Sequence, residues 1–389
     1  MDFYKKINVL MITGVYLPDI NGAVLQCEQI INNIGHSVNF TVLAENKFKE
    51  FDEDLNCNRF SLIKIIINND KINRIIRAVR YLINLIMLLK QTNIIHIHGF
   101  SKRNAIVILI GFLCRKKIIL KMTSFGFDDP VSVRKNFSII YWKLFKLCNA
   151  YIGISPAFKI SYQKVKLPEK KYYFIPNGVN LDRFFPISIN EKIIIRNKYG
   201  FNENDKIIIF VGHFSIEKRP MLLYEAWLKI CEQKVITKLI FIGRTKNHFE
   251  VDNAIVNKIK QDAFQRNVLQ HIRFVEVTYQ IDEYMKIANI FVLPSTREGL
   301  PNVLLEAMAC ALPCIVTNLS GVTDWLINDN ENGILFNTDN PDVLAKRIIP
   351  ILSQISIQQK IGLNARGLVE SGFSSKITAQ RILELYKII

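Results

Sequence analysis

Negative charge is scarce in this chain. Its 389 residues carry 34 aspartates and glutamates against 51 lysines and arginines, a formal net charge of +17. That imbalance implies an anionic partner: a membrane surface, a nucleic acid or a phosphorylated substrate. Nucleic acid ranks well below the membrane, because no recognition motif and no basic patch interleaved with exposed aromatics is visible. Long apolar runs are missing too. The longest uncharged run of helical character, Ala105 to Cys114, is too short to span a bilayer. The N-terminus leads directly into a strand without an apolar h-region, so no signal peptide is expected. Seven cysteines, an odd number spread widely, fit a reduced cytoplasmic compartment. Cys310 and Cys314 flank a helix-to-strand turn and read as buried small apolar residues, not as a metal or redox pair. Low-complexity segments and short repeats are absent as well.

The length exceeds one typical core and suits two domains. Strands and helices alternate through both halves, which argues for parallel sheets wrapped by helices. The first half reads as strands at 8–13, 38–44, 60–67, 94–98, 117–123, 151–155 and 172–176. The second reads as strands at 206–212, 238–243, 272–277, 290–293, 314–318 and 333–336, with a linker at Phe185-Pro186-Ile187-Ser188. The expected fold class is α/β, with two doubly wound, Rossmann-like domains facing a cleft and a ligand at the carboxyl ends of the strands.

The most informative stretch is Arg297-Glu298-Gly299-Leu300-Pro301-Asn302-Val303-Leu304-Leu305-Glu306. The apolar run before it, ended by Pro294, reads as a buried strand, and Asn302 to Ala311 reads as a helix. Pro301 suits a first helical position, where a missing N–H costs nothing. Glu298 therefore lies in the loop after a strand, and Glu306 about one turn into the next helix. Between them are the free N–H groups of a helix start, which attract phosphate. A carboxylate on each side of an anion site suits a ligand with hydroxyls at both ends and phosphate in the middle, such as a nucleotide-diphosphate sugar. Two glutamates at this spacing on an ordinary helix would be a solvated face; the strand, the Gly-Leu-Pro and the helix start together reverse that reading.

This element resembles the signature of family 4 retaining glycosyltransferases of the GT-B fold (glycosyl transferases group 1). The resemblance covers nearly the whole chain and is most specific from Arg297 to Leu319. It implies that Glu298 holds the donor sugar, that Glu306 holds the ribose, and that the backbone of Gly299, Leu300, Pro301, Asn302 and Val303 binds diphosphate. Phe210-Val211-Gly212-His213-Phe214-Ser215-Ile216-Glu217-Lys218 resembles the family's Gly-Arg-x-x-x-x-Lys element, with Gly212 at the turn and Lys218, at the opening of a helix, neutralising the leaving diphosphate. His213 departs from it, standing where the family has arginine; histidine is only partly charged at neutral pH without a phosphate beside it, and lacks arginine's fork. Near the N-terminus, Pro18-Asp19-Ile20-Asn21-Gly22 resembles the family's Pro-x-x-x-Gly-Gly loop, with Asn21 and Gly22 in place of two glycines; the resemblance implies that its backbone approaches the donor phosphate, at Gly22, and the acceptor, at Asn21. Asparagine tolerates the left-handed conformation.

Pro176-Asn177-Gly178-Val179-Asn180 with Phe184 resembles a structural segment near the domain junction. His96 and His98 alternate with isoleucines and point to one side of a strand; no further metal ligands are evident, and His98 is a candidate for an acceptor wall. The family's usual donor-contacting histidine is absent from the loop after the fifth strand, where Ser124 and Asp128 are candidates for acceptor hydroxyls. Asp129 reads as a helix cap before Pro130. Lys71 to Lys90 forms an amphipathic helix. Ile72, Ile75, Ile76, Val79, Leu82, Ile83, Ile86 and Met87 share one side, and Arg74, Arg77 and Arg80 the other. Core packing and docking on an anionic membrane are equally open for it.

The expectation is thus an acceptor domain at 1–185, a donor domain at 186–373 and a C-terminal helix at 374–389 that, by the resemblance, returns to the first domain. The function implied is retaining transfer of a sugar from a nucleoside diphosphate to a hydroxyl of a glycan or lipid-linked glycan, as in surface polysaccharide assembly at the inner membrane face. Glu298, Lys218 and His213 are the catalytic candidates. No cofactor or metal is needed, because Lys218 and the helix end do that work. The alternatives are a catalytically silent relative that binds nucleotide or glycan, and a basic nucleic-acid-binding protein.

Overall fold

The computed structural model describes residues 6–17, 21–46, 60–66, 71–233, 235, 237–245 and 251–389. Pro18, which opens the first-domain loop, and Ile67, the expected end of the third strand, lie outside the described residues, as do residues 1–5 and the side chains of Ile72 and Arg74. The chain divides into two units, 1–178 with 375–389, and 179–374.

The first unit runs β1 (Ile7–Ile12), α1 (Gly22–Ile34), β2 (Val38–Asn46), β3 (Phe60–Ile66), α2 (Lys71–Leu89), β4 (Ile94–His98), α3 (Lys102–Leu113), β5 (Lys117–Lys121), α4 (Pro130–Asn136), α5 (Ile139–Phe145), β6 (Ala150–Gly153), α6 (Pro156–Lys164) and β7 (Tyr172–Phe174). Its strands pair in parallel in the order β3-β2-β1-β4-β5-β6-β7. Parallel strands are covered on both faces, which is why they read as continuous apolar runs; every residue of β4 is buried. Helix starts are set by short polar side chains. Asn21 accepts from Val24 N at 3.0 Å, Ser101 from Asn104 N at 3.2 Å, and Asp129 from Ser132 N at 3.2 Å ahead of Pro130.

The second unit runs α7 (Ile189–Lys198), β8 (Lys206–Val211), α8 (Pro220–Glu232), β9 (Thr237–Ile242), α9 (Asn253–Gln265), β10 (Ile272–Val275), α10 (Ile281–Ile287), β11 (Ile290–Leu293), α11 (Asn302–Ala309), β12 (Cys314–Thr317), β13 (Ile334–Phe336), α12 (Pro341–Ser353) and α13 (Ile355–Gly372). All its pairs are parallel too, in the order β10-β9-β8-β11-β12-β13. Its core gathers Phe210, Trp227, Phe241, Leu344 and Ile348, fully buried between the sheet and α8, α9 and α12. The last helix, α14 (Ser375–Ile388), returns to the first unit and packs on α1, burying Ala379, Ile382 and Leu385.

Some local expectations are corrected. The strands stop at Lys121, Gly153 and Val211, so Thr123, Ser155 and Gly212 belong to the following turns. Pro301 is the residue before α11 and not its first, and the helix ends at Ala309 because Ala311 turns left-handed (φ 54°). α8 opens at Pro220, since Arg219 adopts φ 52° and breaks the helix path after Lys218. Asn21 is extended (φ −142°), so it serves as a cap and not as a left-handed stand-in for glycine. α2 is oriented opposite to a core reading of its apolar stripe: Tyr81, Leu85 and Leu89 are buried, while Ile75, Ile76, Val79, Ile83, Ile86 and Met87 face solvent.

Candidate active site

In each sheet the strand order reverses about one point: between β1 and β4 in the first unit, and between β8 and β11 in the second. Loops leaving the two strands at such a point diverge to opposite faces and leave a crevice for ligand. In the second unit those loops carry Gly212 to Arg219 and Pro294 to Pro301. They are stitched together: Thr296 N donates to the Glu217 carbonyl at 2.8 Å, and Arg297 pairs with Glu217 at 2.8 Å. The stitch brings Lys218 Nζ within 2.6 Å of Glu298 Oε1, both side chains mostly buried. Lys218 also folds back over its own turn, with Cδ lying 3.8 Å from where a Cβ on Gly212 would be. Eighty residues apart in sequence, the lysine and the glutamate form one charged unit.

The start of α11 completes the arrangement. Pro301 offers no side-chain cap, and its carbonyl accepts from Leu304 N and Leu305 N. Leu300 is buried, so its contribution to any ligand is backbone alone. With no side-chain cap from Pro301, the helix dipole makes this end attractive to an anion. Glu306, one turn further, is 4% exposed. Burial pushes its carboxyl up to about 7, opposed by the positive charge of Arg183 and reinforced by the negative charge of Asp282. Arg183 donates to Asp282 at 3.1 Å.

His213 lies in the same group of charges but does not carry one. Burial, then Lys218 and Arg244, hold its imidazole down to about 4, against the pull of Glu298. Without a phosphate beside it, the uncharged form of His213 is therefore favoured. Arg244 is the residue the sequence reading missed. It follows Gly243, whose φ of 157° and closeness to Gly212 let the β9 turn press on the β8 turn; a Cβ there would sit 2.0 Å from the Gly212 carbonyl oxygen. An arginine after a Gly at the end of a strand neighbouring β8 was the available signal.

In the first unit, Asn21 and Gly22 open α1 after β1, and His98 ends β4, so they flank that sheet's reversal point. His98 stacks on His96 at 4.6 Å between ring centroids, and both are buried. His96 Nδ1 meets the Tyr386 hydroxyl at 2.6 Å, tying β4 to α14. Burial holds His98 well below the usual histidine range, with His96 and Lys121 adding to the effect. Asp128 is corrected from acceptor contact to loop organiser. Its oxygens accept from Thr123 N and Ser124 N at 2.8 Å and from Thr123 Oγ1 at 2.9 Å, and it is 1% exposed. Ser124 is half-buried in the loop that Asp128 shapes. Among the described residues, no group of three or more His, Cys, Asp or Glu side chains is placed to hold a metal, and no helix is long and apolar enough to cross a membrane.

The fold is shared with the solved structure of HepE from Anabaena, in complex with UDP and glucose: TM-score 0.79 at 16% identity, covering 98% of this chain and 100% of that one. Two parallel α/β units of this kind define the GT-B glycosyltransferase class. Residues 191–368 match the family of glycosyl transferases group 1. A curated relative, the UDP-Gal:alpha-D-GlcNAc-diphosphoundecaprenol alpha-1,3-galactosyltransferase of Escherichia coli, is 26% identical over 320 residues, 80% of each chain. The capsular polysaccharide biosynthesis glycosyltransferase CapM of Staphylococcus aureus is 28% identical over 211 residues, 54% of this chain and 52% of its own. The chain thus spans about half the length of that second relative.

Proposed function

We propose that this glycosyltransferase moves a sugar from a nucleoside diphosphate to a hydroxyl of a lipid-linked glycan, with retention of configuration, in the assembly of a surface polysaccharide. The observation that carries the reading is the Lys218–Glu298 pair beside the uncapped start of α11, with the buried Glu306 one turn on. In this reading the diphosphate sits on the backbone of Gly299 to Val303 and Gly212, facing Lys218 and Arg244. Glu306 accepts from the ribose hydroxyls, and Glu298 positions the sugar. The bond from the anomeric carbon to the diphosphate oxygen breaks toward these fixed positive groups. The acceptor oxygen attacks from the same face, and its proton passes to the departing diphosphate. No metal and no protein nucleophile takes part; Lys218, Arg244 and the helix end supply the charge a metal would. His213 serves as a neutral hydrogen-bonding group. Asn21, His98 and Ser124 fall to the acceptor side.

Lipid linkage of the acceptor is supported by the basic surface of the chain and by the diphosphoundecaprenol acceptor named for the Escherichia coli relative. The test is calorimetric titration with UDP and then GDP, on the wild type and on Glu306→Ala. Binding of one nucleotide, weakened about tenfold or more (~1.4 kcal/mol) by the substitution, supports the site and selects the donor class. Binding of neither overturns it.

A further inference from the structure

The helices on one side of the first unit turn apolar surfaces outward. The crossovers β3 to β4, β4 to β5 and β5 to β6 all advance in one direction through the sheet. Right-handed connections therefore place α2, α3 and the α4–α5 pair on the same face. α2 packs on α3, and α3 on α5, so the three form one layer. The outward side of that layer should be polar, as on any surface helix. Instead α2 exposes Ile75 (70%), Val79, Ile83 and Met87, α3 exposes Phe112 and Leu113 (69%), and α5 exposes Ile139 (65%) and Ile140.

The charge on the same stretch is of one sign. From Lys71 to Asn149 the chain holds fifteen lysines and arginines and two acids, and both acids, Asp128 and Asp129, are buried. Arg80, Lys90, Lys102, Arg115, Lys143 and Lys146 are exposed on or beside the three helices. Glu45 of β2, a carboxylate at the edge, is shared by Arg77 and Arg103.

We propose that this face docks on an anionic phospholipid bilayer. The apolar side chains reach the boundary between headgroups and acyl chains, and the basic side chains meet lipid phosphates. Charge complementarity selects this occupant. A second copy of the chain would bring two positive surfaces together, and a nucleic acid would leave the isoleucines and phenylalanine unburied. The proposal rests on the surface of the first unit and stands apart from the nucleotide chemistry of the second.

The test uses the full chain in co-sedimentation with vesicles of phosphatidylcholine alone and of phosphatidylcholine mixed with phosphatidylglycerol. Two variants, Ile83→Glu with Met87→Glu and Phe112→Glu with Leu113→Glu, alter only exposed positions; circular dichroism and nucleotide titration confirm that they fold. The expected result is salt-sensitive binding of the wild type to the anionic vesicles, reduced about tenfold or more in each variant, with nucleotide affinity unchanged. No binding to anionic vesicles, or equal binding by wild type and variants, overturns the proposal. So does a dimer in ultracentrifugation that the variants dissociate while vesicles bind nothing, since a second copy would then be the occupant. Loss of nucleotide binding with intact vesicle binding would sink the catalytic reading and leave this one standing.

Discussion

Glu306 sits in an environment far from what its type suggests. A carboxyl that titrates about 7 in the fold and 4.5 when unfolded binds its proton more tightly in the native state. Its stabilising effect is therefore complete below pH 4.5, is lost as pH rises through about 7, and is level above that. Glu306→Gln should flatten this slope; urea denaturation at a series of pH values would show the wild type losing up to a few kcal/mol across the window and the variant little. An unchanged slope in the variant would mean another group carries it. Arg244 gives a second test at this scale. Arg244→Ala should lower the turnover of sugar transfer by about 10²-fold, as removal of a fixed charge at a leaving group does, and should raise the His213 pKa by removing one neighbouring cation. Steady-state kinetics together with the imidazole proton shifts in NMR separate the two effects.

Elements deliver these residues to one place through close turn-on-turn contact. The β9 turn approaches the β8 turn so tightly that only glycine fits at 243. Gly243→Ala should destabilise the second unit by more than about 1 kcal/mol and weaken nucleotide binding, because Gly212 and Lys218 lie on the displaced turn. Chemical denaturation and calorimetry on the same sample check both; a stable variant with full affinity would show that the turns move independently. Among helices, α13 follows the same rule: a Cβ on Gly362 would lie 2.0 Å from the Ala311 carbonyl oxygen, which seats α13 against the end of α11.

The molecule as a whole has two sheets, each with its own core, and a last helix that belongs to the first unit although the second unit's chain precedes it. Nucleotide should accordingly stabilise one unit directly. Calorimetric scanning should resolve two transitions, with only one raised by UDP or GDP, by about 2.7 kcal/mol at a hundredfold excess over Kd. Deleting residues 375–389 uncovers α1 and removes the Tyr386 partner of His96, so the other transition should fall or vanish while the nucleotide-sensitive one remains. A single transition abolished by the deletion would contradict this division.

The thirteen strands among the described residues, the strand–loop–helix frame of Glu298 and Glu306, and the turn before Lys218 were readable in the chain, because they are local. Buried parallel strands need continuous apolar runs, and turns need glycine and proline at short range. Tertiary structure alone decided the rest. The stripe on α2 is a pattern of period, and period does not say which side meets the sheet; packing of Tyr81, Leu85 and Leu89 turned Ile75, Ile83 and Met87 outward. Asp128 looked free until its own loop folded over it. The charge of His213 and the proton of Glu306 depend first on burial, and then on Lys218, Arg244 and Arg183. Electrostatic energy follows separation in space and access of water, and folding alone sets both.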